Sequence, residues 1–270
     1  MTGEMQLKGR AAIITGAASG IGRALAHALA RRGCHLALAD VNMAGLEETA
    51  QRAATGVRIT RHSLDVGDAQ AIAAFPDLVR AEHGRVDLLV NNAGVALGGT
   101  FEQIDEAEFD WLLAINFFGA VRMTRAFLPM LKASDDARIV NISSIFGIIA
   151  PPGQTAYCAS KFAVRGFSES LRHELKDTSV GVTVVHPGGV ATSIARNARH
   201  SQVVSPQELA IALASIEAKL KMPPSQAGET IVRGIEQRKP RIVVGNDAKF
   251  ASLIERMAPV RYWDWLQRLR

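Results

Sequence analysis

The sequence predicts an α/β fold: one doubly wound, seven-stranded parallel sheet flanked by helices on both faces. Three observations predict it. Short β-branched runs alternate with Ala-rich segments of helical period along the 270 residues. No linker separates the successive units, and the length is what one large domain needs. The first apolar run ends in a glycine-rich turn that leads straight into a helical pattern, the start of a βαβ unit.

The strands are expected at residues 11–15, 35–39, 57–62, 86–91, 138–143, 181–186 and 241–244. Helices are expected at 21–31, 43–54, 69–82, 106–131 and 156–176. Such alternation gives parallel strands joined by right-handed crossovers. The whole chain, 1–270, is expected to be a single domain. A segment at about 190–224 breaks the rhythm and reads as a lid between a strand and the next helix. A C-terminal extension follows at about 246–270.

Composition excludes several classes. The chain is 48% hydrophobic and 21% charged, ordinary for a globular protein with a full core. Its net charge of +5 is spread over scattered arginines, with no dense basic stripe, so no nucleic-acid partner is expected. Residues 1–10 lack the apolar stretch of a signal peptide, and no apolar run is long enough to span a bilayer. Cys34 and Cys158 sit in different elements and make no disulfide framework. These features lead us to expect a cytoplasmic protein. The seven histidines show no zinc-ligand spacing, so no metal is expected.

Chemistry enters at the first turn. Thr15-Gly16-Ala17-Ala18-Ser19-Gly20-Ile21-Gly22 lets backbone approach a pyrophosphate, which the N-terminus of the following helix then holds. Its spacing is GxxxGxG rather than GxGxxG. Asp40 ends the second strand, 18 residues after Gly22, where a carboxylate accepts from ribose hydroxyls and repels a 2′-phosphate. No Arg or Lys follows Asp40, and Ser19 stands within the loop where a basic residue would favour the phosphate. The expected cofactor is therefore NAD. Asp65 and Val66 follow the third strand, and Asn92-Ala93-Gly94 follow the fourth, on the edge where open α/β sheets bind ligands.

Tyr157 and Lys161 stand four apart in a helical segment and share one face. A tyrosine has an ordinary pKa of about 10, too high for a base at neutral pH. A nearby lysine cation and an oxidised nicotinamide ring would favour its phenolate. Tyr157 would then exchange a proton with an alcohol. Only two tyrosines occur in the chain, and this one follows a polar loop after a central strand.

These segments together resemble the short-chain dehydrogenase/reductase family, in its single-domain branch. The likeness runs from Leu7 to about Gly245 and rests on TGAASGIG, NNAG, Asn116, the IVNISS run, YCASK and HPG in that order. The resemblance implies a Rossmann-like fold and four catalytic residues. Tyr157 would be the acid/base, and Lys161 would hold the nicotinamide ribose and tune Tyr157. Ser144 would orient the substrate oxygen, and Asn116 would hold a proton-relay water. Ser143 competes with Ser144; the family's spacing, thirteen residues before the tyrosine, picks Ser144. The resemblance further implies cofactor contacts at Gly16, Ser19, Gly20, Ile21, Gly22, Asp40, Asp65, Val66, Asn92, Ala93, Gly94, Pro187, Gly188, Val190 and Thr192, beside Tyr157 and Lys161. A homotetramer or homodimer is implied as well.

The expected substrate loops, 95–103, 145–155 and 189–195, are almost free of charge. An apolar pocket with one reactive polar end suits a hydrophobic secondary alcohol or ketone, steroid-like, retinoid-like or long-chain. A 3-oxoacyl carrier-protein reductase carries the same motifs, and Arg125 and Arg172 would dock its acidic carrier; Asp40 argues against it. A non-catalytic NAD-sensing protein is the rival from another class, and the intact Ser–Tyr–Lys–Asn set argues against that. The C-terminal aromatics beside Arg256, Arg261, Arg268 and Arg270 suit packing over the pocket or a subunit contact better than a membrane surface.

Overall fold

A computed structural model of the chain describes residues 3–53, 55–200, 214 and 217–268. Seven parallel strands form one sheet in the order β3-β2-β1-β4-β6-β7-β9. They are β1 (Ala11–Thr15), β2 (His35–Asp40), β3 (Ile59–Ser63), β4 (Leu88–Asn91), β6 (Ala137–Ile142), β7 (Val180–Pro187) and β9 (Arg241–Val244). A separate pair, β5 (Leu97–Gly98) and β8 (Arg199–His200), lies outside it. The helices are α1 (Gly20–Arg31), α2 (Met43–Gln51), α3 (Ala69–His83), α4 (Glu106–Leu113), α5 (Gly119–Lys132), α6 (Thr155–Glu174), α7 (Pro224–Glu236), α8 (Asn246–Met257) and α9 (Tyr262–Arg268).

Strand alternation feeds two cores. Along β1 the even positions, Ala12 and Ile14, join the cluster under α1 and α7. Ile13 points the other way, into the cluster built with Phe75 of α3 and Phe127 of α5. In β2, Leu36 and Leu38 take the first face, and Ala37 and Ala39 the second. Both faces are covered, which is why the strands read as near-continuous apolar runs. Chain order reverses direction between β1 and β4, so a crevice opens there at the carboxyl ends of the strands.

Local chemistry sets the helix ends. Asp68 caps α3 through Gln70 N and Ala71 N, and Gly84 closes it in the left-handed region. Asp105 and Glu108 form a capping box on α4. The long helix expected at 106–131 is two helices joined by a π turn, Ala114–Phe118. Apolar periodicity misses that turn because one extra residue per turn hardly disturbs it. The expected lid at 190–224 falls partly outside the described residues, as does the end of the C-terminal extension.

The opposite edge of the sheet is tied by one carboxylate. Asp87, fully buried, accepts from Ala11 N at 2.9 Å, Ser134 Oγ at 2.6 Å and Arg10 Nη1 at 3.1 Å, and pairs with Arg85. Burial pushes its carboxyl up, but Arg85, Ser134, the Ala11 amide and Arg10 outweigh this and hold it below its ordinary value. A carboxyl so depressed stabilises the fold above the unfolded pKa of about 3.9 and loses that contribution as pH falls through the folded value. Asp87→Asn should therefore cost about 1–3 kcal/mol at neutral pH by leaving buried donors unpaired. The difference from wild type should shrink below about pH 4. Denaturant melts at neutral and acid pH measure both; a variant as stable as wild type at pH 7 refutes the role.

Candidate active site

The glycine loop is built by close approach. Gly16 has φ +65°, and a Cβ there would lie 2.8 Å from Ala93 Cα and 2.9 Å from Asn92 Nδ2. A Cβ on Gly22 would lie 2.1 Å from Gly16 O, so α1 seats directly on the loop. Asn92 Nδ2 donates to Thr15 O at 2.9 Å and Gly16 O at 3.1 Å. In return, Thr15 Oγ1 accepts from Asn92 N and Ala93 N, each at 3.0 Å. Asn92 and Ala93 thus hold the loop itself. Thr15, whose hydroxyl centres this clamp, was not singled out in the sequence because it reads as an ordinary strand residue.

The start of α1 stays open. Ser19 occupies the N-cap in extended conformation, its side chain caps no amide, and no acidic residue stands in the first turn. The N–H donors and positive end of the helix, at Gly20, Ile21 and Gly22, are left for an anion. Thr192 reaches this point from the lid side: a Cβ on Gly20 would lie 3.1 Å from its Cγ2.

Asp40 lies beside the loop. Its Oδ2 accepts from Ala18 N at 3.0 Å and its Oδ1 from Asn42 N at 2.9 Å, so the carboxylate is held rigidly with part of its surface open. Arg23, not considered in the sequence, is the nearby cation. Its guanidinium is committed to Ala18 O at 2.5 Å, Glu48 Oε2 at 2.7 Å and Thr49 Oγ1 at 3.0 Å. Asp65 is exposed and accepts from Gly67 N, whereas Val66 is buried against Gly119.

The four expected catalytic residues converge at the carboxyl ends of β4 and β6. The π turn places Asn116, buried, against the segment between β4 and β5: Oδ1 accepts from Val95 N at 2.8 Å, and Nδ2 donates to Val95 O at 3.0 Å and Ser160 Oγ at 3.2 Å. Lys161 of α6 is buried, and its Nζ donates to Ile142 O at 3.2 Å. A Cβ on Gly94 would lie 3.1 Å from Asn116 Oδ1 and 3.3 Å from Lys161 Nζ, so glycine is what lets the two approach. Ser143 turns inward and donates to Lys161 O, whereas the Ser144 hydroxyl accepts from Phe146 N at 3.1 Å and faces the Tyr157 phenol. Adjacent residues at a strand end face opposite ways, which separates the two serines.

Burial pushes the Tyr157 phenol up to about 12, against a downward pull from Ser144. It pushes the Lys161 ammonium down to about 8. The ammonium lies over the tyrosine ring, 5.6 Å from its centroid. Ser144 is the neighbouring hydroxyl that pulls the phenol down. His186, unnoticed in the sequence beyond its place before Pro187, is fully buried and donates from Nδ1 to Ser144 O at 2.9 Å. Burial holds it neutral, with a pKa of about 4.

The apolar loops gather around Tyr157. It packs, as do Val95 and Trp111, against the buried cluster of Leu97, Leu112 and Ala156, and its ring meets Phe146 edge-on, centroids 6.1 Å apart. Arg199 of β8 stacks on Trp111 at 3.7 Å, joining the first part of the lid to α4. Pro187 ends β7, and Gly188 leads to a turn that Asp247 of α8 grips. Asp247 Oδ2 accepts from Gly189 N at 2.7 Å, and a Cβ on Gly188 would lie 2.4 Å from that oxygen. Val190 then bridges to Met222. Asp247 carried no sequence signal because it lies 58 residues beyond the turn it holds.

Comparison with known proteins shows the family. The short chain dehydrogenase family model matches residues 10–203. SadH of Mycobacterium tuberculosis is 42% identical over 94% of this chain and 93% of its own length. Oxidoreductase UcpA of Escherichia coli is 35% identical over 83% and 86%. Among solved structures, a short-chain dehydrogenase/reductase from Burkholderia phymatum in complex with NAD superposes with TM-score 0.87 at 28% identity, covering 94% of this chain and 95% of that one. One from Mycobacterium paratuberculosis bound to NAD gives TM-score 0.76 at 27% identity over 89% and 97%. The chain belongs to the short-chain dehydrogenase/reductase family of oxidoreductases.

Proposed function

We propose that this oxidoreductase moves a hydride between NAD(H) and a hydrophobic secondary alcohol or ketone, with Tyr157 as general acid/base. The observation that carries the reading is the convergence of the Tyr157 phenol, the Ser144 hydroxyl and buried Lys161 beside an apolar cluster. The open N-terminus of α1 and the rigid Asp40 carboxylate fit a dinucleotide's pyrophosphate and ribose hydroxyls. NAD supplies the carbon that takes or returns the hydride.

The residues divide the remaining work. Ser144 Oγ orients the substrate oxygen, and His186 holds its peptide in place. Tyr157 Oη takes the proton from the alcohol or gives it to the ketone. Lys161 supplies positive charge near the phenol and a ribose contact, while Asn116 fixes the backbone at Val95 behind them. The uncharged 145–155 loop, whose Phe146 meets the Tyr157 ring, favours a bulky apolar substrate over an acyl carrier. Asp40, with Arg23 already paired, supports NAD over NADP. A cytoplasmic location and a homodimer or homotetramer complete the proposal; exposed Phe118 on the π turn and Phe162 on α6 support the assembly.

Tyr157→Phe should lower kcat by about 10²–10⁴-fold and leave NAD affinity nearly unchanged. Turnover of secondary alcohols by absorbance, with NAD binding by calorimetry, tests this; activity close to wild type removes Tyr157 from the mechanism. For Lys161→Ala we expect weaker NAD binding together with slower turnover, and an upward move of the residual pH–rate profile. An unmoved profile at full NAD affinity denies the lysine both roles. Finally, kcat/KM should favour NAD over NADP by at least about tenfold, since desolvating like charges costs more than the 1.4 kcal/mol that tenfold represents. Asp40→Ala should narrow the ratio, and a wild-type preference for NADP would overturn the assignment and favour a carrier-protein reductase.

A further inference from the structure

Eleven large apolar side chains are exposed among the described residues, and five of them fall between Phe250 and Trp265. The concentration has a clear geometry. The inner side of the C-terminal hairpin is satisfied: Ala248, Ala251 and Ile254 of α8 are buried, and Tyr262 and Leu266 of α9 pack with Ile148 and Ile149. Tyr262 Oη also accepts from Ala150 N at 2.9 Å. The outer side is not satisfied. Phe250, Leu253 and Met257 are 47%, 52% and 58% exposed and share one stripe of α8 at the i, i+3, i+7 spacing. Val260 on the connecting turn is 90% exposed, and Trp265 is 40% exposed.

Cations border the stripe. At about 100° per residue, Lys249 and Arg256 fall along its solvent-side flank. Arg261 and Arg268 follow in the turn and in α9. All four are exposed, and among the described residues none forms an ion pair. An apolar ridge with tryptophan, edged by unpaired cations, matches the boundary between headgroups and acyl chains of an anionic bilayer. A second copy of this chain fits less well. A two-fold contact here would bring the same four cations together; of the hairpin's three carboxylates, Asp247 already accepts from Gly189 N, which leaves Glu255 and Asp264.

We propose that the α8–α9 hairpin docks on anionic lipid surfaces, with Phe250, Leu253, Met257, Val260 and Trp265 entering the interface and Lys249, Arg256, Arg261 and Arg268 meeting lipid phosphates. This reverses the order of preference drawn from the sequence, where packing over the pocket came first: the inner residues Ala251, Tyr262 and Leu266 do that packing, and the outer stripe takes no part in it. The hairpin that docks also braces the 145–152 loop, whose Phe146 touches Tyr157. Docking therefore sets the apolar approach to the site against the bilayer.

The test uses the full-length purified protein and co-sedimentation with two vesicle preparations, pure phosphatidylcholine and an equimolar mixture with phosphatidylglycerol. The protein should sediment with the mixed vesicles, hardly at all with the pure ones, and less as salt rises. Tryptophan emission should shift to the blue on binding. Replacing Phe250, Leu253 and Met257 together by serine should weaken binding at least about tenfold, because withdrawing even one such side chain from water is worth roughly that factor. Arg256→Glu with Arg261→Glu should abolish the preference for phosphatidylglycerol. Both variants should melt like wild type, since they change exposed positions only. Equal sedimentation with both vesicles, or wild-type binding by either variant, overturns the proposal. So does a wild-type oligomer in analytical ultracentrifugation that the triple serine variant dissociates, for the surface then belongs to a second copy.

Discussion

The site depends on how closely two stretches of backbone approach at the reversal of strand order. Thr15 ends β1 and Asn92 follows β4, and each binds the other's main chain through its side chain. The clamp leaves no room at Gly16 for a Cβ. It also determines where α1 begins, because Gly22 rests on the carbonyl of Gly16. A parallel pair has no tight turn to set its register locally. Here side-chain bonds across the strand ends do that work at the edge where a ligand would lie.

From that clamp the rest follows in steps. Past Asn92 the chain reaches Gly94, small enough to admit Asn116 and Lys161 together. Asn116 arrives there because the helix before α5 loosens by one residue in a π turn, a local departure often found at functional positions. Lys161 is then buried with a backbone carbonyl for a partner rather than a carboxylate. An acidic partner would have held it as a fixed ion pair; a carbonyl leaves its charge available, at the cost of a lowered pKa. Its second hold is mechanical, since Ser143 ties the lysine's own carbonyl to the end of β6.

Much of this was legible in the sequence, and the boundary between legible and hidden is physical. Strand positions were readable because both sheet faces are buried, so β-branched runs stand out; β1 and β9 lie where expected, and the other strands shift at their ends by one or two residues. Motifs with local geometry were readable too: the glycine loop, the four-residue step from Tyr157 to Lys161, and Asp40 at a strand end. Roles set by distant segments were not. Asp247 holds Gly189, Arg23 is spent on Glu48, and His186 holds Ser144, each through contacts that no spacing rule encodes. The π turn was hidden for another reason: its apolar pattern is nearly that of the α-helix it interrupts.

The two edges of the sheet handle charge in opposite ways. At the amino-terminal edge, Asp87 is saturated by an amide, a hydroxyl and two arginines, and Asp136 is gripped by Arg238 through both oxygens. Those groups have nothing left to offer a ligand. At the carboxyl-terminal edge, Asp40 keeps open surface, the first amides of α1 are uncapped, and Tyr157 has a single hydroxyl neighbour. Polar groups left half-satisfied cost stability. Carboxylates paired at one end of the same strands help the fold tolerate that cost at the other. Binding capacity here is thus hydrogen-bonding capacity that folding has not consumed, and it lies where the strands end and the helices begin.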